Sequence, residues 1–321
     1  MHHRSDSAQG PARASPSKEL SPVRRFVCVA ALAACSASPP SRAAAQVLIP
    51  HQMHHTSTFE LHSVNDDVQL YEGDPQLLLR IEVRPERSLP PKVEFSNSNQ
   101  VVVLRVLDLS LFEPAVLDSA RLADNEALGI DEDPQAPAAV AQHWQVELAP
   151  AAATDFFLHC EGGKGQFDFT DLPVREVHLL ADTTDVRVEF DRPNPAELRR
   201  FKLTAFGGRL DVRGFLNARA RSVTFQVAGA QADIQLLGKT WDGESEIFFE
   251  GVPARLRMTL PKQIGLHVEG PSVTVARFDR DGMAVVGTAL EDGDFAARSC
   301  RLRLYFSQAV PQMDVRWEDA D

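Results

Sequence analysis

The sequence predicts an all-β fold: a β-solenoid-like stack of about five strand-turn-strand repeats with a small N-terminal β module. Three observations predict it. First, one unit recurs from Phe156 to Leu260, with copies beginning at Phe156, Val177, Phe201, Val223 and Ile247, spaced 21, 24, 22 and 24 residues. Second, each copy alternates apolar and polar residues with period two, the pattern of a strand with one face in a core. Third, offsets inside a copy stay constant while spacings between copies vary, which confines length variation to the connecting loops.

The columns define the repeat. Leu158, Leu179, Leu203, Phe225 and Phe249 stand two residues into each copy, and Cys160, Ala181, Ala205, Val227 and Gly251 two further on. A turn position reads Gly162, Thr183, Gly207, Gly229 and Pro253. The second strand carries Phe167, Val188, Val212, Ile234 and Met258, then Phe169, Phe190, Gly214, Leu236 and Leu260. Polar Asp168, Glu189, Arg213, Gln235 and Thr259 lie between these columns. One such arc cannot bury its own apolar face, so neighbouring arcs must stack, about 4.8 Å apart, into apolar ladders. Glycine supplies the sharp reversals.

Residues 1–45 read as a disordered polar lead followed by an export signal. Arg24-Arg25 precedes an apolar run from Phe26 to Cys35, too short to span a bilayer as a stable helix. Leu32-Ala33-Ala34-Cys35 has the form of a bacterial lipobox, which makes Cys35 the lipidation candidate. Ala43-Ala44-Ala45 offers a competing cleavage site that would release a soluble protein. His51, His54 and His55, with Met53 and His62 nearby, are a candidate metal patch for copper or zinc, weighed against an exposed polar terminus.

Residues 46–112 read as the N-terminal β module, either a small β domain or the first rungs of the same stack. Val68 and Leu70 lead to a turn at Glu72-Gly73-Asp74-Pro75, followed by strands over 77–83, 92–95 and 101–107. Residues 113–142 hold seven acids and one base, Arg121, and read as an acidic linker. The repeat domain occupies residues 143–321, opening on Trp144-Gln145-Val146-Glu147-Leu148. Strands over 265–276, 301–306 and 313–317 are expected to follow the copies and to cap the open end of the stack.

These segments, taken in order, resemble the bacterial toast-rack domain proteins. The likeness runs through Gly73-x-x-x-Leu77 with Pro91-Lys92-Val93-Glu94, Trp144-x-Val146-x-Leu148, Gly214-Phe215-Leu216-Asn217, Gly238-Lys239-Thr240-Trp241, and Leu260-Pro261 ahead of Ile264-Gly265-Leu266-His267-Val268. It covers roughly residues 58–321. Thr183-Thr184 and Val252-Pro253 depart from the glycine turns that the family pattern expects. The resemblance implies an extracytoplasmic, adhesin-like, non-catalytic envelope protein and brings no catalytic residues.

Composition restricts the partners. Formal net charge is −12, and beyond residue 34 the balance is 28 basic against 43 acidic residues. No basic stripe is present, so nucleic acid is not an expected partner. Cys160 and Cys300 are either a bridge or buried thiols, and Cys160 falls in the inward small-residue column. Asp168 and Glu189 occupy one position on adjacent copies, with Asp211 and Arg187 close by. Such outward carboxylates suit calcium or glycan contact, or simply cross-strand ion pairs. His178 with Asp155 or Ser222 can be written as a triad on paper only, and Trp241 and Trp317 are candidate sugar-stacking rings.

The reading is therefore a protein without enzymatic activity or cofactor: an exported, lipid-anchored envelope scaffold or adhesin-like binding protein. It would be periplasmic, outer-membrane-anchored or secreted. Its partners would be an envelope protein or glycan, and the membrane through Cys35. The alternative is an envelope polysaccharide-binding or polysaccharide-processing β-helix protein that uses the outward carboxylates.

Overall fold

The computed structural model describes residues 45–50, 56–84, 92–98, 101–107, 143–150 and 153–319. Two sheets carry the whole stack. The first coil contributes β2 (Thr56–Val64) to one sheet and β3 (Asp67–Glu72) to the other. The five recurring copies follow as β8/β9 (Thr154–Glu161, Lys164–Asp168), β10/β11 (Val174–Asp182, Asp185–Glu189), β12/β13 (Arg200–Phe206, Arg209–Arg213), β14/β15 (Ser222–Ala228, Gln231–Gln235) and β16/β17 (Gly243–Glu250, Arg255–Pro261). A last coil is β21/β22 (Cys300–Phe306, Met313–Glu318). Each coil pairs in parallel with the next in both sheets, as all-β stacking of an alternating repeat requires.

The predicted columns are the observed register. Phe156, Val177, Phe201, Val223 and Ile247 are successive partners, and Phe59 and Leu304 extend that ladder by a coil at each end. All seven are buried. The rings interlock: Phe201 meets Phe215 edge-on at 4.9 Å and Phe225 at 5.8 Å. Burial of this continuous apolar seam is the dominant stabilising term, because no single arc could dry its own inner face.

The turns stack as well. Asn65, Gly162, Thr183, Gly207 and Gly229 all adopt positive φ at the same place in successive coils. Each donates its backbone N–H to the next turn, as in Gly162 to Asp182 at 2.8 Å and Thr183 to Phe206 at 2.7 Å. Thr183 therefore does take the glycine geometry, with φ 51°. The fifth turn differs from expectation: the left-handed residue is Gly251, φ 84°, and not Pro253, whose ring locks φ near −65°. At the opposite ends of the coils, buried Asn217 donates to the Phe190 carbonyl and accepts from Lys239 N–H, both at 2.8 Å. Asn194 does similar work one coil earlier, donating to the Val174 carbonyl at 2.7 Å.

At one end, β4 (Leu77–Arg84), β7 (His143–Leu148), β1 (Ala45–Pro50), β5 (Lys92–Ser98) and β6 (Val101–Leu107) extend the same two sheets. The Trp144 strand pairs in parallel with β3 and antiparallel with β4. At the other end, β18 (Gly265–Glu269) pairs with β21 and so lies one rung beyond it. The strand expected over 265–276 stops at Glu269, because Gly270 (φ 150°) and Pro271 turn the chain into a short helix, α1 (Ser272–Val275). A hairpin of β19 (Met283–Val286) and β20 (Ala289–Asp292) then pairs with β18. Phe278 is fully buried beside Phe306, and Thr274 accepts from Val310 N–H at 3.0 Å, which closes this end of the core. Among the described residues no helix is long and apolar enough to cross a membrane.

Candidate functional site

The inner faces are consumed by packing, so chemistry is left to the two outer faces. On the outer face of the β3–β9–β11–β13 sheet, Gln69, Gln166, Arg187 and Asp211 form one ladder. Asp168, Glu189 and Arg213 form a second, with Tyr71 one residue past the last pairing of β3 and β9. Asp168 and Glu189 are thus direct cross-strand partners, as their shared repeat position requires. They are on different terms with their surroundings. Asp168 accepts from its own Thr170 N–H at 2.9 Å. Glu189 is held by Arg187 at 2.6 Å. Asp211 is closed off by a two-pronged Arg213 contact, 2.8 Å at its shorter arm, and lies outside the site that the other two share.

Tyr71, Gln69, Gln166, Asp168, Arg187 and Glu189 enclose a half-open depression of about 310 Å³, with Leu70 and Phe167 beneath it. It forms because short Asp168 lies between longer neighbours on both sides. Tyr71 donates to Glu147 at 3.3 Å, which fixes the phenol at the wall, and burial, then Glu147, pushes its pKa up. Gln69 donates to Gln166 at 3.3 Å along the floor. Beside this site Glu72 is raised above the ordinary carboxyl range, by desolvation first and then by the neighbouring Asp171 carboxylate. Tyr71 and Gln69 were not singled out from sequence; their signal is the alternation of Asp67–Glu72, which assigns them outward but names no neighbour.

The other outer face carries stacked rings among its ion pairs. His62 stacks on His159 at 4.2 Å, Phe157 on His178 at 5.1 Å, and Phe248 on Tyr305 at 4.9 Å. Rings stacked between adjacent strands turn their faces to each other and their edges to solvent, a poor platform for a ligand that needs a free face. His178 bonds Glu176 at 2.8 Å, while Asp155 is held by Arg175 and Ser222 lies two strands away, so the paper triad is not assembled. Arg280 covers the Trp317 ring at 4.0 Å, and Trp241 packs partly buried against the core.

Cys160 and Cys300 are free and buried, and no bridge joins them. They lie on β8 and β21, five strands apart in one sheet, roughly 24 Å by strand spacing and far beyond the reach of a disulfide. Burial pushes the Cys160 thiol up to about 11 and raises Cys300 as well, so both are inert core thiols. Cys35, His51, His54 and His55 lie outside the described residues. Among the described residues no group of three or more His, Cys, Asp or Glu side chains is placed to hold a metal ion.

No family model and no curated protein matches the chain. A solved structure of a proposed cell adhesion protein from Clostridium sporogenes ATCC 15579 is similar over 86% of this chain and 100% of that one, at 10% identity and a TM-score of 0.37. So distant a superposition assigns neither a family nor a function.

Proposed function

We propose that this chain is a non-catalytic binding protein of the cell envelope, adhesin-like or scaffolding, exported and lipid-anchored through Cys35. In its order of segments it resembles the toast-rack domain proteins. The observation that carries the reading is the continuity of both sheets. Among the described residues, twelve strands hydrogen-bonded in one sheet and ten in the other make one stiff body, roughly 50 Å along the longer sheet, with two long outer faces. Such a body presents surface at a distance from its anchor and needs no hinge or closed cleft. The lipobox-like Leu32-Ala33-Ala34-Cys35 after Arg24-Arg25 supplies the anchoring half of the reading.

Metabolic labelling with an alkyne fatty acid, followed by fractionation, tests it. The full chain is expected to take the label and sediment with membranes, and Cys35→Ser to lose the label. An unlabelled chain found only in the cytosol would sink the proposal.

A further inference from the structure

We propose that the depression walled by Tyr71 and the Arg187–Glu189 pair binds a neutral pyranose unit of a glycan. The inference rests on the binding-protein reading and names the ligand class and the residues.

The lining decides the chemistry by elimination. Its formal charges are Asp168, Glu189 and Arg187, a balance of one negative. The guanidinium gives one N–H to Glu189 at 2.6 Å, and beside two carboxylates it leaves the lining net negative, which disfavours a uronate, sulfate or phosphate. Anions are therefore repelled. The carboxylates can only accept, and each retains acceptor capacity: Asp168 gives one oxygen to Thr170 N–H, and Glu189 one to Arg187. The site thus calls for a ligand rich in hydroxyl donors. Gln69 donates to Gln166, which leaves the Gln166 amide N–H groups able to donate to a hydroxyl oxygen.

The shape agrees with the charge. Tyr71 is tied by its hydroxyl to Glu147, away from the depression, so its ring and not its polar tip forms the wall. Strands β3 and β11 flank β9, placing the walls about 10 Å apart. That width and a volume of about 310 Å³ hold one pyranose, which has an apolar ring face and a hydroxyl edge. An ammonium ligand would satisfy the carboxylates and could lie against the Tyr71 ring, but it carries no acceptor for the Gln166 amide N–H groups, which a hydroxyl supplies. A shallow one-unit subsite binds weakly, with a Kd of order 1 mM, so affinity for a chain comes from several molecules engaging at once.

The test is a glycan array probed with the full chain displayed in many copies on fluorescent beads, carrying neutral gluco-, galacto- and manno-oligosaccharides beside uronate oligosaccharides. Three variants accompany the wild type: Tyr71→Ala, Asp168→Asn and, on the opposite sheet, Phe248→Ala. Asparagine at 168 can still accept from Thr170 N–H, so that variant keeps the local fold, which circular dichroism verifies. Expected is binding to a neutral oligosaccharide that falls at least about 10-fold in Asp168→Asn and Tyr71→Ala and is unchanged in Phe248→Ala. Binding to uronates alone, equal binding by all variants, or no binding to any printed glycan would overturn the inference. In the last case a fatty-acylated, membrane-bound chain would leave the envelope reading standing, so the two failures are distinguishable.

Discussion

The space between the sheets and the two outer faces are built on the same strand spacing, yet they tolerate different things. Inside, each position must supply volume: the ladder from Phe59 to Leu304 is apolar at every rung and fully buried. Outside, each position needs only a compatible neighbour. One outer face combines stacked rings such as Phe248–Tyr305 with ion pairs such as Arg303–Glu244, while the other uses alternating charge such as Arg187–Glu189 and Arg213–Asp211. A depression opens on the charged face where long and short side chains alternate, at Tyr71, Asp168 and Glu189. Function therefore has room only where the ladder is irregular.

The sharpest way to break the comparison is to truncate one phenylalanine on each side. Phe201→Ala removes a fully buried ring that touches two others and is expected to cost about 3–5 kcal/mol. Phe248→Ala removes an outward ring with one stacking partner and should cost about 1 kcal/mol or less. Urea unfolding midpoints compare them, and equal costs would mean that the outer rings are structural in the same sense as the core.

Next in size is Asn217→Ala. It strands the Phe190 carbonyl and the Lys239 N–H in a buried loop stack, at a cost of about 1–3 kcal/mol. Amide hydrogen exchange at Lys239 should accelerate; an unchanged rate would show that the Asn217 bond does not set the protection of this amide.

A smaller effect comes from Glu244 on the outer face. A 2.5 Å bond from Arg303, then one from Arg301 at 2.9 Å, holds its carboxyl below the ordinary 4.5, outweighing the opposing effect of burial. A depressed carboxyl contributes stability that is present at neutral pH and lost as pH falls through the depressed value. Glu244→Gln should thus cost up to about 1 kcal/mol at pH 7 and nothing in acid, where the wild type is itself protonated. A difference that persists in acid would assign the loss to packing.

The smallest expected effect is Thr183→Gly. Glycine relieves a left-handed φ of 51°, but it forfeits the Thr183 hydroxyl bond to Asp182 at 2.8 Å and loosens the unfolded chain. A net gain of about 0.5 kcal/mol is expected. A loss would show that the hydroxyl bond outweighs the backbone strain.

How much was legible in the sequence follows the same division. The inner columns were readable because a buried ladder repeats its own demand at every rung, so Phe156, Val177, Phe201, Val223 and Ile247 announce their register by recurrence. The Asp168–Glu189 pairing was readable for the same reason. Turn geometry was partly hidden, since Gly251 and Pro253 both stand where a reversal is needed and only one tolerates positive φ.

At the ends the strands over 77–83, 92–95, 101–107, 144–148, 301–306 and 313–317 were legible, but not which neighbours they take. The sequence by itself determined the stack, its inner columns and which residues face outward, because period-two alternation and recurrence are local properties of the chain. Only the tertiary structure decided that β3 lies against β9, that β18 is placed one rung beyond β21, and that a short helix and hairpin close the core. The first coil keeps the offsets of the repeat at Phe59, Leu61, Ser63, Asn65 and Leu70, but it stands 97 residues before Phe156 while the copies follow one another at 21 to 24, so its place in the stack was hidden. The candidate site lies across that join, so Asp168 and Glu189 were visible as a pair while the Tyr71 wall facing them was not.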